Sequence, residues 1–307
     1  MDFVAYPLLL KPTIKSAAWG SNNLIEKYGK LTPLVNCAES LEISESSKVI
    51  NGEYKDQFLS EIIKRHREAL LSKSELNLTL KYLDCGKSLS LQVHRNKDEG
   101  WYILEAKPDS YIWLGLKKGV RTDTFSRCIA NGEDPRGFLN RFTPKVGEYY
   151  YVPTGVVHAL GPGLVVAEIQ QNNQTTYRLS DWGRQFGDYK RPLHIKKGLD
   201  TISKTPFDVI PGDHSEWDHW YTIHRSSFFS TELFKGTKCL TKSKCAHIIS
   251  CVKSKACIYW HNDEAKLFSM RLSQGQTALI PATMPIYKIV GMSGCEVIKI
   301  DLRENDG

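Results

Sequence analysis

Ser88-Leu89-Ser90-Leu91-Gln92-Val93-His94, followed shortly by Lys97-Asp98-Glu99-Gly100-Trp101-Tyr102, is the stretch whose reading decides the fold. Leu89, Leu91 and Val93 alternate with Ser90, Gln92 and His94, the period-2 pattern of a strand with one apolar and one polar face. Gln92 and His94 therefore share the polar face, one pleat apart. If that face lines a barrel interior, an amide oxygen, an imidazole and the Glu99 carboxylate surround a small cavity. Divalent zinc accepts such a donor set. An exposed edge strand carrying an ordinary Gln and His is the alternative reading of the same residues.

Downstream, Tyr151-Val152-Pro153-Thr154-Gly155-Val156-Val157-His158-Ala159-Leu160-Gly161 reads as a strand, a Pro-x-Gly turn and a second strand with His158 near its start. This spacing suits a double-stranded β-helix, in which one motif supplies early ligands and a later hairpin returns the last His. Glu168-Ile169-Gln170-Gln171-Asn172 alternates again, and Thr175-Thr176-Tyr177-Arg178 brings an Arg behind it.

Taken together, Leu89–His94, Glu99–Tyr102, the PxGxVHALGxG segment and the EIQQNxxTTYRLxDWGR segment (Glu168–Arg184) resemble the type I mannose-6-phosphate isomerases, in the family's order. The likeness runs from Trp19-Gly20 to about Leu199 and weakens beyond. It implies a mainly β cupin fold (double-stranded β-helix or jelly roll) and one zinc ion per chain, held by Gln92, His94, Glu99 and His158. It implies interconversion of mannose 6-phosphate and fructose 6-phosphate through an enediolate, with Lys81, Lys97, Glu168 and Arg178 lining the pocket. Three departures stand out. The segment between His94 and Lys97 is much shorter than the family loop, and Arg95 follows His94 where the family has Pro. The family's Ser-Asp ahead of Arg178 is replaced by Asn173-Gln174.

Moving a proton between C1 and C2 of a sugar requires an electrophile for the developing charge, a base near the carbon and an anchor for the phosphate. Near a dication a lysine's charged form is disfavoured, which makes Lys97 or Lys81 a proton carrier, with Glu168 competing. Arg178 keeps its charge and steadies the anion. A catalytically weakened cupin sensing a sugar phosphate is the alternative, favoured by Asn173-Gln174. A non-haem iron oxygenase fits less well, because a Gln joins the two His and one carboxylate.

The rest of the chain limits these readings. The 307 residues suffice for one large or two modest domains. Lys and Arg exceed Asp and Glu by 41 − 34 = 7, but they are scattered, which argues against a nucleic-acid partner. No apolar run reaches the roughly 18 residues that span a bilayer. Leu8-Leu9-Leu10 has neither a basic region before it nor a cleavage site after it, unlike a signal peptide. Eight Cys without a CxxC pair suggest reduced thiols in the cytoplasm. The partner read is a small sugar phosphate, in a monomer or weak homodimer. No P-loop, GxGxxG or GxSxG motif supports nucleotide transfer or serine hydrolysis.

Helical spacing over Gln57–Leu71 and Thr122–Phe142 predicts helical insertions at about 53–75 and 122–142 of a catalytic cupin domain, residues 1–210. Tyr102–Leu116 reads as a hairpin, and Pro206–Asp213 as a linker to a smaller cupin-like β-domain, 211–307, without metal ligands.

Overall fold

The computed structural model describes residues 3–173, 175–185, 190–203, 205–210, 212, 217–241, 245–262 and 264–302. Two antiparallel sheets build the first half. The larger has seven strands, in the order Asp208–Ile210, Tyr149–Val152, Glu99–Ala106, Leu164–Gln171, Leu78–Cys85, Cys37–Ile43, Thr13–Ser21. The smaller has five, in the order Tyr177–Ser180, Leu91–Val93, His158–Leu160, Ile112–Leu116, Leu139–Phe142. Every pairing between named strands is antiparallel, so this is a β-sandwich closed as in a cupin, without βαβ crossovers.

The central strand Leu164–Gln171 explains the layering. Leu164 and Val166 join the core between the two sheets, packed with Leu83, Trp101, Ile112 and Leu160. Val165, Ala167 and Ile169, on the other face, join a second core shared with Phe229, Ile248, Ile298 and Ile300 of the C-terminal half. A strand buried on both faces reads as a continuous apolar run, as Leu164-Val165-Val166-Ala167 does.

The C-terminal half repeats the plan. Its larger sheet runs Trp217–Arg225, Phe229–Lys235, Glu296–Leu302, His247–Lys253, Thr277–Ile280, then Leu8–Lys11 and Lys48–Val49. Lys238–Thr241, Tyr287–Gly291, Lys255–His261 and Leu267–Ser273 form its smaller, four-stranded sheet. The Leu8-Leu9-Leu10 run is therefore a strand of the second sheet, with Leu8 opposite Leu279. We propose that the chain divides near residue 210 into two barrels, with Leu8–Lys11 and Lys48–Val49 crossing back to complete the second.

Helices fall within the expected spans at Leu59–Leu71 and Thr122–Ala130, with a 3-10 turn at Pro135–Phe138. Three local expectations change. The helical spacing read as far as Phe142 fails at its end, where Leu139–Phe142 is an edge strand paired with Ile112–Leu116. Glu99–Ala106 and Ile112–Leu116 are not a hairpin: the first lies in the seven-stranded sheet and the second in the five-stranded one. The intervening turn arches across the sandwich, which the Lys107-Pro108-Asp109 turn signal does not distinguish from a hairpin. The linker expected at Pro206–Asp213 contains an edge strand, with Val209 opposite Tyr150; residues 211 and 213 lie outside the described residues. No helix among the described residues is long and apolar enough to cross a membrane.

A buried polar knot ties the halves together. Lys30 and Glu42 are 3% and 1% exposed, with Lys30 Nζ 2.7 Å from Glu42 Oε1. Lys30 also donates to the Gly275 carbonyl, and Thr277 Oγ1 donates to Glu42 Oε2 at 3.3 Å. Glu42→Gln leaves a buried ammonium without its carboxylate and is expected to cost about 3–5 kcal/mol. The double change Lys30→Met with Glu42→Leu should cost less than that single one. Denaturant unfolding of the two variants checks the order.

Candidate metal centre and its polar pocket

The interior grades from apolar to polar along three neighbouring strands of the seven-stranded sheet. Cys85 and Leu83 give way to Lys81, Leu164 and Val166 to Glu168 and Gln170, and Ile103 and Trp101 to Glu99. These positions alternate along their strands, so all point inward. Register brings the polar ends side by side: Glu168 opposite Lys81 and Trp101, and Gln170 opposite Glu99. From the facing sheet come Gln92, on Leu91–Val93, and His158, its cross-strand partner. His94 follows that strand directly. A cavity of roughly 200 Å³ lies between, lined by Gln92, His94, Glu99, Lys81, Lys97, Glu168 and Arg178 among others.

The turn that delivers His158 is fixed by Gly155. Val156 N donates to Pro153 O at 3.2 Å, and Gly155 takes φ +81°, the third position of a type II turn. A side chain there would also meet Ser203 Oγ within 2.5 Å of its Cβ.

Both histidines are held in one tautomer by the main chain. His94 Nδ1–H donates to Thr175 O at 3.0 Å and His158 Nδ1–H to Val156 O at 2.8 Å. Each Nε2 is thereby left with a lone pair aimed at the cavity. Burial keeps the rings neutral: it takes His94 down to about 3, against the opposing pull of Glu99, and lowers His158 likewise. Burial alone would raise Glu99, but Lys97 and the two imidazoles outweigh it and hold the carboxyl well below the usual range.

His94 Nε2, His158 Nε2 and Glu99 Oε2 are buried and have no hydrogen-bond partner. Ligand-capable atoms of these three residues lie within 4.8 Å of one another. Buried polar atoms are rarely left orphaned. Two neutral imidazoles and an ionised carboxylate converging on one point, with the Gln92 amide beside them, fit a divalent metal.

Beside this triad runs a second polar chain. Lys97 Nζ contacts Glu99 Oε1 and donates to Gln170 Oε1 at 3.1 Å. Lys81 Nζ donates to the same Gln170 oxygen at 3.1 Å and lies 3.4 Å from Glu168 Oε1. Trp101 Nε1 donates to Glu168 Oε2 at 3.2 Å. Burial raises Glu168, and Glu99 adds to this against the pull of Lys81 and Lys97. Lys81 departs from the expectation of a lowered lysine. Burial pushes it down, yet Glu168, Glu39 and Glu99 outweigh that and the net shift is upward.

Arg178 sits at the rim, its Nη1 donating to Pro192 O at 2.9 Å. Sequence reading missed Gln170, Glu39 and Arg191, which also line the cavity. Gln170 was findable, since it alternates with Glu168 on one face. Glu39 needs the pairing of a distant strand, and Arg191 lies in a loop where it is chelated by the buried Asp181. Gln174 lies outside the described residues.

Comparison with known proteins bears on this pocket. Residues 8–114 match the profile of the phosphomannose isomerase type I catalytic domain. Mannose-6-phosphate isomerase ManA of Bacillus subtilis is 35% identical over 216 residues, covering 64% of this chain and 68% of the relative. A crystal structure of the mannose 6-phosphate isomerase from Bacillus subtilis superposes with a TM-score of 0.83 at 27% identity, covering 96% of this chain and 99% of that one. A mannose 6-phosphate isomerase bound with zinc and yttrium shares the fold at 15% identity, with a TM-score of 0.78 over 97% of this chain and 100% of that one.

If the orphaned atoms are metal ligands, purified protein carries about one divalent ion per chain, and His158→Ala loses it. Elemental analysis of the two proteins checks this; equal metal in both removes His158 from the ligand set.

Proposed function

The chain belongs to the type I phosphomannose isomerase family, and from that membership we propose that it is a zinc-dependent isomerase interconverting mannose 6-phosphate and fructose 6-phosphate. That it is an isomerase follows from the family. The choice of metal, substrate and residue roles is the proposal, in a cytoplasmic setting in keeping with its eight free cysteines. The observation that carries it is the convergence, in one cavity, of the orphaned His94–Glu99–His158 atoms with the Lys81–Glu168–Gln170–Lys97 chain. A relative of the same fold is described as binding zinc, and this donor set suits zinc.

In this reading Gln92, His94, Glu99 and His158 hold the ion. When bound, it supplies a Lewis acid for negative charge developing on the sugar's oxygens. The chain's own groups then do the following. Glu168, whose carboxyl is raised by burial, takes the proton from C2 of the open-chain aldose, and the C–H electrons form the C1–C2 double bond as the carbonyl oxygen takes up charge. The proton of the O2 hydroxyl passes to O1, and the same carboxyl returns its proton to C1 as the C2–O2 carbonyl forms, which leaves the ketose with a C1 hydroxyl. Lys97 and Lys81 donate to the charged oxygens and keep Glu168 and Gln170 in place. Arg178 holds the anionic substrate at the rim. Trp101 fixes the Glu168 carboxylate by its indole N–H and walls the cavity from water. A sensor needs an anion clamp but no buried proton carrier, so this chain of groups favours turnover.

Two measurements test the proposal. Mannose 6-phosphate should be turned over in a coupled assay, with activity lost to a chelator and restored by zinc. Glu168→Gln should lower kcat by about 100- to 10,000-fold while metal content is kept. Wild-type kcat in Glu168→Gln would move the base elsewhere.

A further inference from the structure

The segment from His94 to Glu99 carries two of the proposed ligands across only four intervening residues, and its backbone is bonded along its length. Gly155 N donates to His94 O at 2.9 Å, and Lys97 N donates to Thr154 Oγ1 at 2.6 Å. Asp98 takes Thr154 N at 2.8 Å and the Tyr151 hydroxyl at 2.5 Å, and its own N–H goes to Gln171 Oε1 at 2.8 Å. Between these ties lie Arg95 and Asn96, the latter left-handed at φ +54°. Their carbonyl oxygens both accept from one group, Asn173 Nδ2, at 3.0 and 3.2 Å. The other end of the same amide, Asn173 Oδ1, accepts Thr175 N at 2.9 Å, and Thr175 O is the acceptor that orients the His94 ring.

We infer that Asn173 is a positioning residue for the metal centre, clamping the short His94–Glu99 segment from one side and setting His94's tautomer from the other. Two departures from the family pattern are then one device: the shortened loop and the Asn in place of Ser. A Ser side chain ends one bond beyond Cβ. It can accept from Thr175 N, as Ser and Asx side chains do in such turns, but it cannot reach the two carbonyls. Asp keeps the length and the Thr175 acceptor while losing the donor, and would leave its carboxylate facing two carbonyl oxygens. The inference rests on the metal reading above.

The test measures zinc affinity of the full chain by competition with a chromophoric chelator, alongside the thermal midpoint of metal-free protein. Groups that orient metal ligands are worth about 10- to 100-fold in affinity. Asn173→Ser and Asn173→Asp are each expected to weaken zinc by about tenfold or more, with the metal-free midpoint unchanged. The Asp variant is the decisive one, since its added negative charge alone would tighten a cation. Wild-type affinity in Asn173→Asp overturns the clamp while leaving the metal centre standing. So does a loss of affinity matched by a fall in the metal-free midpoint, which would make Asn173 a general structural residue. No zinc binding by the wild-type chain would instead overturn the metal reading, and the clamp with it.

Discussion

The seven-stranded sheet around Leu164–Gln171 is covered on both faces, and the position of the chemistry follows from that constraint. With the five-stranded sheet on one side and the C-terminal half on the other, an inward polar side chain has no solvent to turn to. It must sit where another polar group meets it, because an unpartnered buried polar group costs about 1–3 kcal/mol. Register supplies the meeting: Lys81, Trp101 and Glu168 fall in one row across three strands, and Glu99 and Gln170 in the next. Three strands therefore turn polar at the same depth, and the cavity opens there.

The innermost charges of that cavity are paired. Lys97 faces Glu99 and Lys81 faces Glu168, while the two buried imidazoles are neutral. These inner pairs add little net charge, and the guanidinium of Arg178 stands beyond them at the rim. Adding a dication tips the same lining positive, which suits an anionic ligand and an anionic intermediate alike. The unpartnered Nε2 and carboxylate atoms are what support a metal in the proposed reading. The lysines gain their role from the same arrangement. Held by carboxylates and by Gln170, Lys81 is shifted upward, which is why the proposed reading gives proton abstraction to Glu168, whose carboxyl burial raises.

Much of this was legible in the residues, because period-2 alternation reports both which face a residue occupies and what that face meets. The Leu89–His94 alternation placed Gln92 and His94 together, and the Pro153-Thr154-Gly155 turn announced the return of His158. Helical spacing located Leu59–Leu71 and Thr122–Ala130, though it ran on over Leu139–Phe142, which is a strand. Pairing between distant strands was not legible. Nothing in Tyr102–Leu116 distinguishes a hairpin from an arch between sheets, since both need the same turn residues. Nor does Leu8-Leu9-Leu10 carry any sign that its partner is Leu279. Glu39 and Arg191 escaped for the same reason: each reaches the cavity through contacts made far away in sequence, not through a local pattern.

Among the described residues the C-terminal half contributes no side chain to the cavity wall, yet the wall depends on it. Tyr82, Tyr102 and Tyr149 point away from the cavity into the core shared with that half. Tyr82 ends on Ser250 Oγ at 2.6 Å, and Tyr102 on Glu296 Oε2 at 2.8 Å. His224 stacks on Tyr151 with ring centroids 4.2 Å apart, and Tyr151 in turn hydrogen-bonds Asp98, the neighbour of Glu99. Without this cover, the outward face of the seven-stranded sheet would present three tyrosines, Leu80, Ala167 and Ile169 to water. Its strands would lose the two-sided burial that fixes their register. A one-residue slip in Leu164–Gln171 would turn Glu168 and Gln170 outward and break the row that they form with Lys81 and Glu99. The C-terminal half, whose larger sheet takes in Leu8–Lys11 from the chain's beginning, therefore serves the seven-stranded sheet as the surface against which its register is set.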